Sequence, residues 1–274
     1  MHPEKRIAYF TPQSLINLVC CLIGEMSMRQ YTSMQFIVRI FEKSRKRGNE
    51  MKPELTLPKE IIDEYKKLDV PSISDAMDKL KLYGGLLHIK AVVPDTYVCG
   101  QAFTIHYVPC GEVKGTVGDF IDDILPGEVA VIDNNGREDC TVWGDIMSIY
   151  ATKKGIAGTV IDGVCRDINV IRELKYPIYT KGTYMVTGKD RVYVDRINEP
   201  VSIAGVQVNP GDLIVGDNTG VIAVPFNKVE EVLKVAKQIE AVEQTIVSKV
   251  KAGMQLKEAR KETGYHTLQT PDEE

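Results

Sequence analysis

"WGDIMSIYATKKGIAGTVIDGVCRDINVIRELKYPIY", residues 143–179, carries one complete repeat of α/β construction. "GDIMSIYATKKG" reads as an amphipathic helix closed by Gly155, with Lys153 and Lys154 in the last turn, where cations suit the carbonyl end of a helix. "AGTVID" is short and wholly apolar before its acid, the pattern of a strand buried on both faces. "DINVIREL" reads as a second helix, stopped at Tyr176-Pro177 because the residue before proline is pushed out of the helical region. Helix, buried strand and helix in this order build a parallel sheet, and ligands of such sheets bind beyond the carboxyl ends of the strands. Arg166 and Asp167 stand side by side at that place.

Arg166 offers a planar fork suited to a carboxylate or phosphate. Asp167 is a hard oxygen ligand suited to Mg²⁺ or Mn²⁺. The plain alternative is that Asp167 caps the following helix while Arg166 pairs with a surface acid. Upstream, Gly144 permits close backbone approach, and the helix it opens directs free amides outward, a ready site for a carboxylate. Asp145 would repel an anionic ligand there unless it holds a water or moves a proton; otherwise it merely complements the helix dipole. Asp145 and Arg166 lie 21 positions apart. A helix running out and a strand running back return the chain to one edge of the sheet, so the two places can meet over one pocket.

The whole chain has 274 residues, 43% hydrophobic and 26% charged, enough to bury a substantial core. A net charge of −4 argues against a nucleic-acid partner held by an overall basic field. Six cysteines with no CxxC pair favour free thiols in a reducing, cytoplasmic setting, and four scattered histidines argue against a His-rich metal centre. Residues 1–50 differ from the rest: "SLINLVCCLIG" (14–24) is too short to span a bilayer, and no A-x-A-like cleavage site follows it. This segment is set apart as an N-terminal extension, an amphipathic helix or a stretch upstream of a start at Met51. Residues 51–255 form the expected domain, and 256–274 a polar, mobile C-terminal tail.

Within the domain, Ile61, Ile62, Tyr65 and Leu68 mark a helix ended by Pro71, and Ser74 is placed to cap the next, with Asp75 and Asp78 in its first turn. "TYVCGQAFTIHYV" (96–108) reads as a strand, "GTVGDFIDDI" as a short helix, and 199–225 as β-rich. A long helix covers about 227–252. "PGEVAVIDNNG" (126–136) and "PGDLIVGDNTG" (210–220) repeat the same turn, strand and turn 84 residues apart, which suggests paired elements of one sheet system.

Together these residues resemble the RraA-like family, which includes the 4-hydroxy-4-methyl-2-oxoglutarate (HMG) and 4-carboxy-4-hydroxy-2-oxoadipate aldolases, class II pyruvate aldolases with oxaloacetate decarboxylase side activity. The family signature is an Asp, twenty intervening residues and Arg-Asp, which Asp145, Arg166 and Asp167 match without a gap. "SDAMDKL" (74–80), "GQAFTI" (100–105), "VNPGDLIVGDNTGVIAVP" (208–225) and "EQTIVSKVKAG" (243–253) match as well, so the resemblance spans about 55–255. It implies an α/β single domain of the layered β/β/α swivelling type with a long C-terminal helix, assembled as a homotrimer or hexamer. It implies that Gly144, Asp145, Ile146 and Met147 bind the pyruvyl carboxylate through their amides, and that Arg166 clamps it. Asp167 would be the sole direct protein ligand of Mg²⁺ or Mn²⁺, and Asp145 would orient or deprotonate a water. An acid from the C-terminal helix of a neighbouring subunit would complete the site, with Glu243 the best positional match and Glu240 one turn away. Ile146-Met147 stand where the family often has Leu-Leu.

The implied reaction is retro-aldol cleavage of a 4-hydroxy-2-oxo acid to pyruvate, with a small 2-oxo acid as the partner molecule and neither nucleic acid nor membrane. Two other readings stay open: a regulator that binds ribonuclease E, as some family members do, and a lyase acting on a sugar-acid derivative. Other signals are weaker. "GTYMVTGKD" (182–190) misses the phosphate-loop spacing by one residue and ends in Asp190. Lys90, Lys114 and Lys181 read as solvated surface charges rather than Schiff-base lysines. Trp143 and Cys165 read as packing residues, and "YVDRINE" (193–199) as a candidate stretch for substrate specificity.

Overall fold

The computed structural model describes residues 56–112, 115–265, 268 and 270; the 1–50 extension, Lys114 and the last residues of the expected tail lie outside them. The chain enters through helices α1 (Lys59–Tyr65) and α2 (Val70–Lys79), then strands β1 (Lys90–Ala91), β2 (Val98–Pro109) and β3 (Val129–Thr141). Helix α3 (Asp145–Lys154), β4 (Gly158–Cys165), α4 (Ile168–Glu173) and β5 (Ile178–Thr183) follow. Strands β6 (Val192–Ile197), β7 (Val201–Ile203), β8 (Val206–Val208), β9 (Leu213–Gly216) and β10 (Val221–Val224) lead to the long helix α5 (Val229–Lys251) and to α6 (Leu256–Thr263).

The main sheet has eight strands, in the order β1-β5-β4-β3-β2-β9-β10, with β6 also paired to β2. Strands β2 to β5 run parallel, and the flanking pairs are antiparallel. Every residue of β4 is buried, as a strand covered on both faces requires. On one face, Ala151 of α3 and Ile171 of α4 pack with Ile132, Ile161 and Cys165. On the other, Val201, Ile203 and Val208 of the β7–β8 hairpin cover Val131, Val160 and Tyr179. Hairpin, sheet and helices thus form three layers, the β/β/α arrangement. A separate core joins α1, α2 and α5 to β9 and β10 through Tyr65, Ile73, Leu213, Ile222, Val232 and Ala236.

The two repeated segments flank the same strand. β3 pairs parallel with β2 from Ala102 to His106, and β9 pairs antiparallel with it from Val98 to Gln101. Gly127 and Gly211 open both repeats with left-handed backbones (φ +86° and +88°). Both close on an Asx turn: Asp133 Oδ1 accepts from the Asn135 amide at 2.9 Å, and Asp217 Oδ1 from the Thr219 amide at 2.7 Å.

Four local expectations change. Pro71 sits in the first turn of α2, where its missing N–H costs nothing, and Asp69 is the cap, accepting from the Ser72 amide at 2.9 Å; Ser74, Asp75 and Asp78 lie inside the helix. β3 does not stop at Asp133 but continues through bulges to Thr141. α3 is not amphipathic in place: it buries only Ser148 and Ala151, while Ile146, Ile149 and Tyr150 face outward. The segment after 255 opens with α6, which buries Ala259 and sets Arg260 over the Tyr265 ring at 4.9 Å.

Gly100 sets how closely β2 approaches the turn before β3: a Cβ there would lie 2.2 Å from the Gly127 carbonyl oxygen. Gly100→Ala is expected to lower unfolding stability by about 1–3 kcal/mol, read as a shift in the urea midpoint at constant slope.

Candidate active site

The site is built where β3 and β4 end. After Thr141 the chain turns through Val142 and Trp143, and Trp143 anchors the turn. It is buried, stacks on Tyr176 (centroids 6.1 Å apart, planes 4° apart) and donates from Nε1 to Ser148 Oγ at 2.9 Å. Ser148 Oγ in turn donates to the Gly144 carbonyl at 2.9 Å, so ring and hydroxyl together fix the first turn of α3. Cys165, the last residue of β4, is buried in the core, and burial pushes its thiol up to about 12, which makes it a packing residue.

The two loops meet as the spacing requires. The Arg166 amide donates to the Trp143 carbonyl at 3.1 Å, and the Asp145 amide to Asp167 Oδ2 at 3.3 Å. Asp167 occupies the cap position of α4 but makes no capping hydrogen bond; its backbone is left-handed (φ 60°, ψ 39°). That conformation costs on the order of 1 kcal/mol for an L-residue, least for Asp and Asn. It turns the carboxylate away from α4 and onto the amide end of α3. Arg166 Nε lies 3.2 Å from Asp167 Oδ2. Gly144 makes the approach possible, since a Cβ there would stand 2.5 Å from Asp167 Oδ2. The structure thus brings Gly144, Asp145, Arg166 and Asp167 together: Asp167 makes no capping hydrogen bond to its own helix α4, and the acid that Arg166 pairs with is its own neighbour.

The amides at the start of α3 already hold acids. Asp145 Oδ1 accepts from the Ile146 amide at 2.7 Å, so an external carboxylate must replace that side chain there. Met147 packs against the core and against Gly118, whereas Ile146 is 78% exposed. In front of Arg166 and Asp167 lies an open cavity of about 390 Å³ lined also by Ile168, Thr183, Tyr184 and Met185. None of these four was marked in the sequence. Thr183 ends β5, the neighbour of β4, and Tyr184 and Met185 follow it, so the carboxyl-edge rule that found Arg166 could have found them. "YVDRINE" instead belongs largely to β6, paired to β2.

Within one chain Glu243 is not brought to this cavity. It is half-buried on α5, beside Asp75, Asp69 and Glu240. Burial first, and those carboxylates second, push its carboxyl pKa up. Among the described residues no hydrogen bond or ion pair holds it. Glu240 is engaged: it accepts from Ser72 Oγ at 2.9 Å and from Gln244 Nε2 at 2.8 Å. Lys181 is not the surface charge it reads as in sequence; its Nζ lies 2.7 Å from the buried Asp162 carboxylate, which also accepts from the Ala204 amide at 2.9 Å. Lys90 donates to the Thr219 carbonyl at 3.0 Å. Among the described residues no helix is long and apolar enough to cross a membrane, and no three His, Cys, Asp or Glu side chains gather to hold a metal.

Comparison with known proteins gives the family. The chain is 41% identical over 197 residues to protein DlpA of Legionella pneumophila, 70% of this chain but only 32% of that much longer protein. It is 36% identical over 184 residues to a Halalkalibacterium halodurans protein that carries the provisional name 4-hydroxy-4-methyl-2-oxoglutarate aldolase, covering 66% of this chain and 84% of that one. The crystal structure of a Streptomyces coelicolor protein, described as an unusual member of the ribonuclease ES inhibitor RraA family, superposes with a TM-score of 0.64 at 27% identity, over 69% of this chain and 96% of the other. Residues 70–223 match the family described as RraA-like, Aldolase/RraA, and with the fold and the joined loops this places the chain in the RraA-like family.

Proposed function

We propose that the protein is a divalent-metal-dependent lyase that releases pyruvate from a 4-hydroxy-2-oxo acid by retro-aldol cleavage and also decarboxylates oxaloacetate. The observation that carries this reading is the Asp167 carboxylate, withheld from its own helix, held against Gly144 and beside Arg166 at the mouth of a cavity. Asp167 fits Mg²⁺ or Mn²⁺: a single carboxylate with water in the remaining positions is how Mg²⁺ is commonly bound, and no His cluster is needed. When bound, such an ion supplies a Lewis acid for the 2-keto oxygen of the substrate.

The chain's own residues do the rest. Arg166, whose terminal nitrogens donate to no partner among the described residues, clamps the substrate carboxylate, and the first amides of α3 complete its binding once Asp145 swings away from Ile146. Freed, Asp145 faces the reacting end and takes the 4-hydroxyl proton, directly or through a water. The C3–C4 bond breaks, its electron pair stays on C3, C4 becomes the carbonyl of the departing fragment, and C3 takes a proton from water to give pyruvate. We place the enzyme in the cytoplasm, as a homotrimer or hexamer in which Glu243 of the partner subunit reaches the site. Two features support that assembly. Ile146, Ile149 and Tyr150 beside Asp145, and Val247 and Val250 one and two turns beyond Glu243, are exposed apolar side chains on helices that each lack a cover there.

The alternative, a regulator that binds a ribonuclease, is favoured only by the description of the Streptomyces relative. Pyruvate release measured with and without Mg²⁺ separates the two: the lyase requires metal-stimulated turnover, while tight ribonuclease binding with no turnover on any 2-oxo acid would support the regulator.

Asp167→Asn, which keeps a residue suited to the left-handed backbone, should lower metal-stimulated pyruvate release at least about a hundredfold with little change in melting temperature, the scale on which electrostatic groups at reacting centres act; full activity in that variant would disprove the assignment. Arg166→Lys keeps the charge but loses the two-pronged contact, so KM for the 2-oxo acid should rise about tenfold or more. Glu243 is an ionised acid among acids, so the fold disfavours its charged form above its raised pKa, and that cost disappears below the ordinary carboxylate range. Glu243→Gln should therefore keep or slightly raise the melting temperature at pH 8 while turnover falls about tenfold or more.

A further inference from the structure

The cavity in front of Asp167 has two unlike ends. At one end stand Arg166 and Asp167; the other four lining residues, Ile168, Thr183, Tyr184 and Met185, carry no charge. Resting on the aldolase reading above, we propose that this second end receives the part of the substrate beyond C4, and that this part is uncharged and apolar.

The argument is one of charge supply. HMG, after which the Halalkalibacterium relative is named, bears a second carboxylate on C4. A carboxylate taken out of water needs a cation or several directed donors. Among the described residues Arg166 is the single cation lining the cavity, its Nε is held by Asp167, and its other nitrogens are needed by the carboxylate next to the keto group. The nearest cation along β5, Lys181, is committed to Asp162. Arg137 is bound through two nitrogens to Asp139, at 2.9 and 2.7 Å. What remains among the described residues is a wall with no cation: the Thr183 and Tyr184 hydroxyls set in methyl, thioether and aromatic surface.

That wall is fixed from behind and open in front. The Tyr184 amide donates to the Cys165 carbonyl at 2.9 Å, and Thr183 is in register with Cys165 across the β4–β5 ladder. Ile168 packs against the core behind the site. Met185 is 72% exposed, an unbranched thioether that can fold over guests of differing shape. A backbone held in register carrying uncharged, largely apolar side chains at its open rim suits an aliphatic or aromatic carbonyl fragment as the second product.

The test uses the full-length, Mg²⁺-loaded protein in its native assembly, so that anything a neighbouring subunit adds is included. Pyruvate release is followed from oxaloacetate, from HMG, and from the HMG analogue whose C4 carboxylate is replaced by an ethyl group. The expected result is a kcat/KM for the ethyl analogue about tenfold or more above that for HMG, within the range that apolar pocket contacts supply. Met185→Lys and, separately, Thr183→Arg should each move that ratio toward HMG about tenfold, a comparison that needs no reference to absolute activity. HMG cleaved as fast as the ethyl analogue, or faster, overturns this inference while leaving the aldolase reading intact. No pyruvate from any of the three substrates overturns both.

Discussion

Everything at the candidate site depends on one contact between loops: the Asp167 carboxylate lying against the amide end of α3. Three conditions permit it. Residue 144 has no side chain, because a Cβ would stand 2.5 Å from the carboxylate oxygen. Residue 167 accepts a left-handed backbone, which rotates the carboxylate off its own helix. The positive end of the α3 dipole and the Arg166 guanidinium offset the charge that is gathered there. The cost of the arrangement, a strained residue and an uncapped helix, is borne at a place where ligands of parallel sheets bind.

The contact is held in place by the sheet beneath it. Parallel pairing of β3 with β4 runs from Val129 to Asp133, and the bulges that follow let β3 extend to Thr141 while β4 ends at Cys165. The strands therefore deliver Trp143 and Arg166 to the same height, and the bond between the Arg166 amide and the Trp143 carbonyl seals the join. Behind it, Trp143 and Tyr176 stack in the core, so the rigid part of the site is aromatic and buried. The adaptable part, Tyr184 and Met185, stands at the rim.

Much of this was legible in the sequence, and the reason is local. A buried strand announces itself by an unbroken apolar run, Gly155 by its place after a helix, and the pairing of Asp145 with Arg166 by a spacing that one helix and one strand must fill. The repeat of "PGEVAVIDNNG" by "PGDLIVGDNTG" reported two strands that share a neighbour, down to the same Asx turn. What failed was nonlocal or ambiguous. Pro71 reads equally as the end of one helix or the start of the next, and only packing chooses. The bulges of β3 depend on β4, which no stretch of β3 encodes alone. The outward face of α3 resembled a core face because apolar spacing does not say what covers it. Lys181 looked solvated because its partner Asp162 lies on another strand.

The outward apolar face of α3 and the unpaired Glu243 bear on the same point. An acid surrounded by acids destabilises the chain that carries it, and the exposed Ile146 and Ile149 side chains bury little surface in a lone subunit. A second copy that covers α3 would bury that apolar face and carry Glu243 to the site through the same contact. A head-to-tail contact of this kind uses two different surfaces of each copy, so it closes only as a ring. The chemistry proposed for the site and the assembly proposed for the chain then rest on the same two helices, α3 and α5.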